Sequence, residues 1–177
     1  MAEQIIITKT DIQAYWNVPN TVKDETVNIA ILRAMQSDLK QVLGDPLYYA
    51  FIENYNGTTF PDANYLKLFN GGNYTYNSDT IYFSGIKQLL CAYAYIHLAK
   101  TNKINVVRAG VVVKSVEYSE TAEDFQIRAI TRGAYDQSQR IEGEISRFLY
   151  ENRATYPLYT KRITEDQKRT GFNFYKV

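Results

Sequence analysis

The clearest pattern in the chain is a stripe of apolar residues between positions 25 and 43. Its members recur every three or four residues, which is the spacing of one face of an α-helix. They are Ile29, Leu32, Met35, Leu39, Val42 and Leu43. Gly44 comes directly after the last of them, where a glycine commonly ends a helix. The pattern therefore predicts an amphipathic helix over about 25–43.

Further segments also have helical signatures. A short helical turn is predicted near the N-terminus, with its cap at Thr10 or Asp11. Asp45 is predicted to cap a second helix, and Pro46 suits the first turn of that helix. The remaining predicted helices are a short one at 63–69, a buried one at 84–100 that is apolar on almost every side, and the longest one at about 122–153. A helix without a wide polar face is typical of the centre of a bundle.

Residues 104–118 change character, because β-branched valines replace the helical pattern. Two valine-rich runs flank Gly110, which predicts a strand pair or extended loop with Gly110 at or near its turn. The polar and aromatic segment 73–83 is expected to be a structured loop. The predicted fold class is therefore mainly α, with a helical body over 1–159, a small β-hairpin or extended loop, and an extended C-terminal arm over 160–177.

Composition and charge exclude several classes of protein. The 177 residues carry 20 basic and 19 acidic side chains, so the net charge is +1. This balance argues against a strongly basic nucleic-acid binder and against an acidic disordered tail. One cysteine and one histidine exclude a disulfide framework and a Cys/His zinc site. No signal peptide or membrane span is expected, so the chain is predicted to reside in a reducing cytoplasm.

The chemically reactive side chains do not form a catalytic pattern. His97 has no nucleophile at a suitable spacing and is interpreted as a core or interface histidine. Cys91 lies on the same apolar helix and is interpreted as a buried free thiol. The segment 43–46 resembles the turn of a helix-turn-helix, but the helix after it lacks side chains that read bases. We therefore expect no enzyme, no metal site and no cofactor. The 16 tyrosines instead suit contacts between proteins.

Taken in order, several short motifs resemble the head–tail connector (adaptor, or head-completion) family of tailed bacteriophages. The similarity covers about residues 5–159, and the aromatic and Asn-rich composition further resembles ring proteins of crAss-like phages. The motifs are Gln36-x-x-Leu39-x-x-x-Leu43-Gly44-Asp45-x-Leu47-Tyr48, Tyr65-x-x-Leu68, Gly85-Ile86, Ala92-Tyr93-Ala94-Tyr95, Gly110-Val111-Val112-Val113-Lys114, Phe148-Leu149-x-x-Asn152 and Tyr156-Pro157-Leu158-Tyr159.

The resemblance implies a structural virion protein of the helical adaptor type, assembled in the cytoplasm of a host bacterium. It implies a closed ring, commonly of about twelve copies, in the neck at the head–tail junction. Such a ring contacts the portal protein and the next neck or tail ring, and genomic DNA passes through it without sequence recognition. The C-terminal arm is the part of the chain that does not match the family.

Two groups of residues are predicted to make the contacts of such a ring. The valine-rich segment is predicted to face the channel or the adjacent subunit, through Arg108, Val111, Val113 and Lys114. The arm is predicted to dock on an adjacent ring, by strand addition or in a groove. Its candidate residues are Lys161, Arg162, Phe172, Phe174 and Tyr175. The alternatives are a small helical phage regulatory or DNA-packaging protein, and an enzyme of unrecognised type.

Overall fold

The computed structural model of the chain describes residues 4–101, 104–107, 110–113 and 124–160. These residues are mainly helical, with two antiparallel pairs of strands, which confirms the predicted fold class at that level. The elements in chain order are α1 (Lys9–Gln13), α2 (Asp24–Arg33), a π-helical segment (Ala34–Leu39), α3 (Lys40–Leu43), α4 (Asp45–Glu53), α5 (Ala63–Asn70), β1 (Gly72–Tyr76), β2 (Asp79–Phe83), α6 (Gly85–Thr101), β3 (Ile104–Val107), β4 (Gly110–Val113) and α7 (Asp124–Glu151).

Helix α6 forms the centre of the fold. It packs against α1, α2, the π-helical segment, α5 and α7, and most of its side chains are buried. Leu89, Leu90 and Ala94 are completely inaccessible to solvent. Residues that lie around the whole circumference of a helix can all be buried only if other elements surround it. The sequence prediction of a buried central helix is thus confirmed.

The predicted helix over 25–43 is one continuous helical rod that contains a π-helical segment. The predicted stripe is wrong at two positions, because Ile29 is 49% exposed and Leu32 is only partly buried. The residues that face the core are Val27, Ala30, Ile31, Ala34, Met35, Leu39, Val42 and Leu43. In a regular α-helix, positions four residues apart drift steadily around the axis. The wider turn of the π-helical segment offsets this drift and keeps Leu39 and Leu43 on the core side.

The caps of two helices differ from those predicted. Thr8, rather than Thr10 or Asp11, caps α1, and the Asp11 carboxylate accepts a hydrogen bond from the Thr8 backbone N–H over 2.7 Å. This reciprocal arrangement is a capping box, which requires the acidic partner three residues after the cap. Gly44 ends α3 as predicted, and it also occupies the N-cap position of α4. Asp45 is the first residue of α4, and its carboxylate lies 3.8 Å from the Lys40 ammonium.

The segment 73–83 was expected to be a loop, and this expectation is wrong. It forms the hairpin β1–β2, in which Tyr76 pairs with Asp79 across a two-residue turn. Asn77 and Ser78 occupy that turn with φ values of 49° and 70°. Positive φ at both positions matches the twist of a hairpin, but the usual sequence signal for it is Asn-Gly or Asp-Gly. The absence of a glycine at this turn explains why the sequence did not reveal it.

The remaining predictions of secondary structure agree with the described residues. Strands β3 and β4 form the expected antiparallel pair, and Gly110 is the first residue of β4, opposite Val107. Helix α7 runs from Asp124 to Glu151, inside the predicted limits of 122–153. The short helix α5 begins after an Asp62 cap and ends at Gly71.

Substitution of Gly71 or Gly85 should strongly destabilise the fold, because the two backbones touch at the base of the β1–β2 hairpin. A Cβ on Gly71 would lie 2.4 Å from the Phe83 carbonyl oxygen, and one on Gly85 would lie 2.2 Å from the Gly71 nitrogen. Both residues also have φ near +80°, which costs about 1–3 kcal/mol for an L-residue before any clash. Chemical denaturation of Gly85→Ala should therefore show that the free energy of unfolding falls by more than that range.

Gly143→Ala is the matched control for this prediction. Gly143 lies within α7, and an added Cβ there would meet no atom within 4 Å. Alanine has a higher helix propensity than glycine. The free energy of unfolding of this variant should therefore rise by about 0.5–1 kcal/mol. Equal effects of Gly85→Ala and Gly143→Ala would contradict the close approach at the hairpin base.

The stability of the fold should also depend on pH through Asp11. Its carboxylate lies 2.7 Å from the Lys87 ammonium and joins α1 to α6. Burial disfavours the charge, but the hydrogen bonds from Lys87 and Thr8 outweigh burial and hold the pKa of Asp11 below its usual value of 3.8. A lowered pKa stabilises the folded state above the unfolded-state pKa, and this stabilisation is lost as the pH falls through the folded-state pKa.

Asp11→Asn should accordingly be less stable than the parent near neutral pH, by up to about 1 kcal/mol because solvent screens a partly exposed pair. Urea titrations near pH 7 and near pH 3 provide the measurement. The difference in free energy of unfolding between the two proteins should shrink at the acidic pH, because protonation of the carboxylate in the unfolded parent begins to cancel the stabilisation there. A difference that grows as the pH falls would contradict the assigned ion pair.

Candidate interaction surfaces

The hairpin β3–β4 contains part of the segment predicted to face the channel or the adjacent subunit. It follows α6 and precedes α7 in the chain. Its register places Val111 opposite Val106 and Val113 opposite Ile104. Val111 and Val113 are two residues apart in one strand, so their positions share one face of it. Arg108 and Lys114 lie outside the described residues, and their predicted role stays a prediction.

The chain that leads to the C-terminal arm is attached to the body by two buried tyrosines. The Tyr156 hydroxyl donates a hydrogen bond of 2.8 Å to the backbone carbonyl of Asn64 in α5. The Tyr159 side chain is 8% exposed, and burial raises the pKa of both tyrosines. Asn152 continues this attachment toward α7, since its side-chain amide donates to the Phe148 carbonyl over 2.8 Å. The described chain is therefore held against the body up to Thr160.

The predicted docking residues of the arm all lie beyond that point. Lys161, Arg162, Phe172, Phe174 and Tyr175 are outside the described part of the chain. The structure thus locates the start of the arm, beside α5 and α7, and leaves the arm's contacts as predictions.

The hairpin β1–β2 presents a second surface, which sequence reasoning missed. Its inner face packs on α7, where the rings of Phe83 and Phe148 stack with centroids 4.0 Å apart. Arg147 lies over the Tyr76 ring at 4.8 Å, and the Glu144 carboxylate accepts hydrogen bonds from the backbone N–H and hydroxyl of Ser84. The outer face is exposed and consists of Asn73, Thr75, Thr80 and Tyr82. The hairpin is thus fixed on one side and open on the other.

A polar network joins the π-helical segment to the central helix and α7. His97 Nε2 lies 2.7 Å from the Asp38 carboxylate, and the Tyr93 hydroxyl donates to Glu142 over 3.2 Å. Burial, together with the adjacent Glu142 charge, raises the pKa of the Tyr93 phenol. The Thr101 hydroxyl accepts a hydrogen bond from Arg33 and donates one to the His97 carbonyl. These contacts pair the polar groups with one another and fix the packing of four helical elements, because Arg33 belongs to α2.

The other chemically reactive groups within the described part of the chain do not converge. Cys91 is buried as predicted, and burial raises the pKa of its thiol to about 12, so the thiol stays protonated at neutral pH. Among the described residues, no group of three or more His, Cys, Asp or Glu side chains is arranged to hold a metal ion. In the same part of the chain, no helix is both long and apolar enough to cross a membrane.

Large apolar side chains that remain exposed are spread over many elements. Among the side chains whose exposure the structure describes, Tyr82 on β2 is the most exposed of this kind, at 62%. The others are Tyr15, Ile29, Tyr49, Leu66, Tyr135 and Leu158. Single exposed apolar residues are normal on a protein surface, so these residues do not by themselves define a contact face.

Comparison with known proteins yields one family. A family model described as "Family of unknown function (DUF6712)" matches residues 39–169 of the chain. The matched segment includes both hairpins, the central helix and α7. No curated protein matches the chain, and no solved structure matches it.

The thiol of Cys91 should be unreactive in the folded protein. Cys91 is fully buried in α6, and its raised pKa leaves almost none of the reactive thiolate near pH 8. A thiol reagent such as Ellman's reagent should therefore label the native protein very slowly. The same reagent should titrate one thiol per chain in denaturant, since the sequence has a single cysteine. Rapid labelling of the native protein would contradict the burial of α6.

Proposed function

The chain belongs to the DUF6712 family, and we propose that it is a subunit of the ring that joins the portal to the tail of a tailed bacteriophage. In this proposal the protein is a structural component of the virion at the head–tail junction. It assembles with copies of itself, commonly about twelve in a closed ring. Its neighbours are the portal protein on one side and the next neck or tail ring on the other. It needs no catalytic group and no cofactor.

The observation that carries the proposal is the attachment of the C-terminal segment. Two buried tyrosines, Tyr156 and Tyr159, hold the chain against the body until Thr160, and 17 further residues follow. Those residues include five cations and three aromatic side chains, but no helical apolar period. A segment of that kind gains little by packing on its own body. It suits a partner that lies at a defined distance from the anchor, as the next subunit or ring does.

The body has features that suit a ring subunit of the adaptor type. The motifs that resemble connectors fall on the turn at Gly44, on the central helix α6, on β4, and on the segment from Phe148 to Tyr159. A closed ring of identical subunits uses two different faces of each subunit. A helical body with two hairpins and an arm offers several separate elements for such faces.

The charge of the chain is compatible with passage of DNA. The net charge of +1 keeps average electrostatic attraction to phosphates weak. A strongly basic channel would instead bind DNA tightly and in a salt-dependent way. Weak, non-specific contact is what a conduit for genomic DNA requires.

The proposal predicts that the arm is needed for assembly and not for folding. The purified full-length protein should give closed rings of about twelve copies, either alone or after mixing with the portal protein of the same phage. A chain truncated after Thr160 should unfold at the same temperature as the parent, because the buried tyrosines remain. The truncated chain should fail to join its neighbour. Native mass spectrometry and negative-stain imaging measure both outcomes.

A matched control keeps the length and charge of the arm and changes only its order. A chain with residues 161–177 scrambled should assemble as poorly as the truncated chain if the pattern of the arm matters. Assembly by the truncated chain would contradict the role of the arm. A stable dimer that binds duplex DNA, with an affinity that falls steeply as salt rises, would instead favour the regulatory or DNA-packaging alternative.

A further inference from the structure

We propose that the outer edge of β1 is the docking site for the C-terminal arm of an adjacent copy. In this arrangement residues 171–177 of one subunit add a third strand to the β1–β2 hairpin of the next. The inference rests on the proposed ring and names the partner of its arm. It follows from the hydrogen-bonding pattern of the hairpin, from charge and from the length of the arm.

The register of the hairpin leaves backbone groups of β1 directed outward. Tyr76 pairs with Asp79 across the two-residue turn, so this pair and the Tyr74–Ile81 pair exchange the hydrogen bonds of the ladder. The intervening residues of β1, Asn73 and Thr75, therefore direct their N–H and C=O groups away from β2. The sheet has only two strands within the described part of the chain. The outward groups of Asn73 and Thr75 have no strand partner there.

The β1 edge is both accessible and rigid, as a docking edge must be. Asn73 and Thr75 are exposed, whereas Tyr74 between them is 7% exposed and packs edge-on against Phe148. The backbone of β2 lies nearer to α7 than the backbone of β1 does, although Tyr74 and Tyr76 of β1 also contact α7 through their side chains. The edge of β1 is therefore the outer edge of the hairpin. The close backbone contact between Gly71 and Gly85 fixes the base of the hairpin. An added strand would thus meet an edge that is already in its bound shape, which lowers the entropy cost of docking.

The end of the arm has the sequence of a strand that could occupy this edge. Phe172 and Phe174 alternate with Asn173, which is the two-residue period of a strand. Strand addition uses main-chain hydrogen bonds for affinity and alternate side chains for specificity. On the open face of the hairpin, the side chains nearest to an added strand are those of Asn73 and Thr75, both of which are exposed.

Charge favours this hairpin over the other one. The arm has five cationic residues against two carboxylates, so it is basic. Residues 72–83 carry one charge, the Asp79 carboxylate, and no cation. Residues 103–114, which include β3 and β4, carry Lys103, Arg108 and Lys114 and no carboxylate. A basic segment is therefore attracted to the first hairpin and repelled by the second.

The length of the arm favours a neighbouring copy over its own body. Tyr156 contacts Phe148 with ring centroids 5.5 Å apart, and Phe148 in turn contacts Tyr74 of β1. The arm thus starts close to its own hairpin, and a few residues would suffice to reach it. Residues 161–171 instead span up to about 36 Å when extended. A folded chain of 177 residues has a radius of gyration of roughly 16 Å, so the extended segment is long enough to reach the body of an adjacent copy.

Cross-linking between two differently labelled chains tests the proposal. One chain carries Thr75→Cys and the other carries Asn173→Cys, and the buried Cys91 does not compete for the reagent. The two are mixed, assembled alone or on the portal protein, and treated with a short bis-maleimide. A cross-linked dimer that contains one copy of each labelled chain should form. Its yield should be about tenfold above that of the Thr58→Cys control described below, because docking raises the effective concentration of the two cysteines to the millimolar range.

The matched control replaces Thr75→Cys with Thr58→Cys, another exposed threonine, which lies in the loop after α4. Equal yields from the two positions would overturn the assignment of the β1 edge. A single chain that carries both cysteines and links only to itself would overturn the choice of the neighbouring copy. If rings form but the Thr75→Cys and Asn173→Cys chains do not cross-link specifically, this inference is wrong and the proposed function is unaffected. If the protein forms no rings, either alone or on the portal protein, both the proposed function and this inference are wrong.

Discussion

The burial of α6 is the constraint on which the rest of the fold depends. Side chains such as Leu89, Leu90 and Leu98 lie on different sides of one helix and are all buried. Each buried side chain of this kind contributes about 1.5–3 kcal/mol only if another element covers it. Helices α1, α2, α5 and α7 and the π-helical segment supply that cover. The polar contacts at the surface of the bundle, such as Asp11–Lys87 and Asp38–His97, then fix how these elements sit around the central helix.

The second constraint is the attachment of extended elements to this helical body. The hairpin β1–β2 would be marginal alone, because two strands bury too little apolar surface to be stable in water. Stacking of Phe83 on Phe148 and the contact between Gly71 and Gly85 join it to α7 and to the start of α6. Tyr156 and Tyr159 attach the C-terminal segment in a comparable way. The body thus holds an open strand edge and the start of a basic arm in fixed positions, which suits the proposed contact between identical copies.

These attachments also give the proposed ring a physical basis. An arm that leaves one subunit and an edge that accepts it on the next form a heterologous contact, which repeats until the ring closes. Main-chain hydrogen bonds make such a contact tolerant of the exact side chains. In the proposed ring, the near-neutral charge of the chain keeps its attraction to DNA weak.

The sequence by itself determined the helices, because their apolar periods and glycine ends are local signals. It predicted the buried helix α6 and the buried thiol of Cys91, which the structure confirms. It also predicted a strand pair or extended loop around Gly110, and the structure has the strand pair. Only the tertiary structure decided the π-helical segment and the β1–β2 hairpin. The π-helical segment depends on which face α6 contacts, and the hairpin depends on aromatic packing against Phe148, a residue that lies far away in the chain. Local patterns cannot encode contacts of that range, since the same residues without their partner also suit a loop.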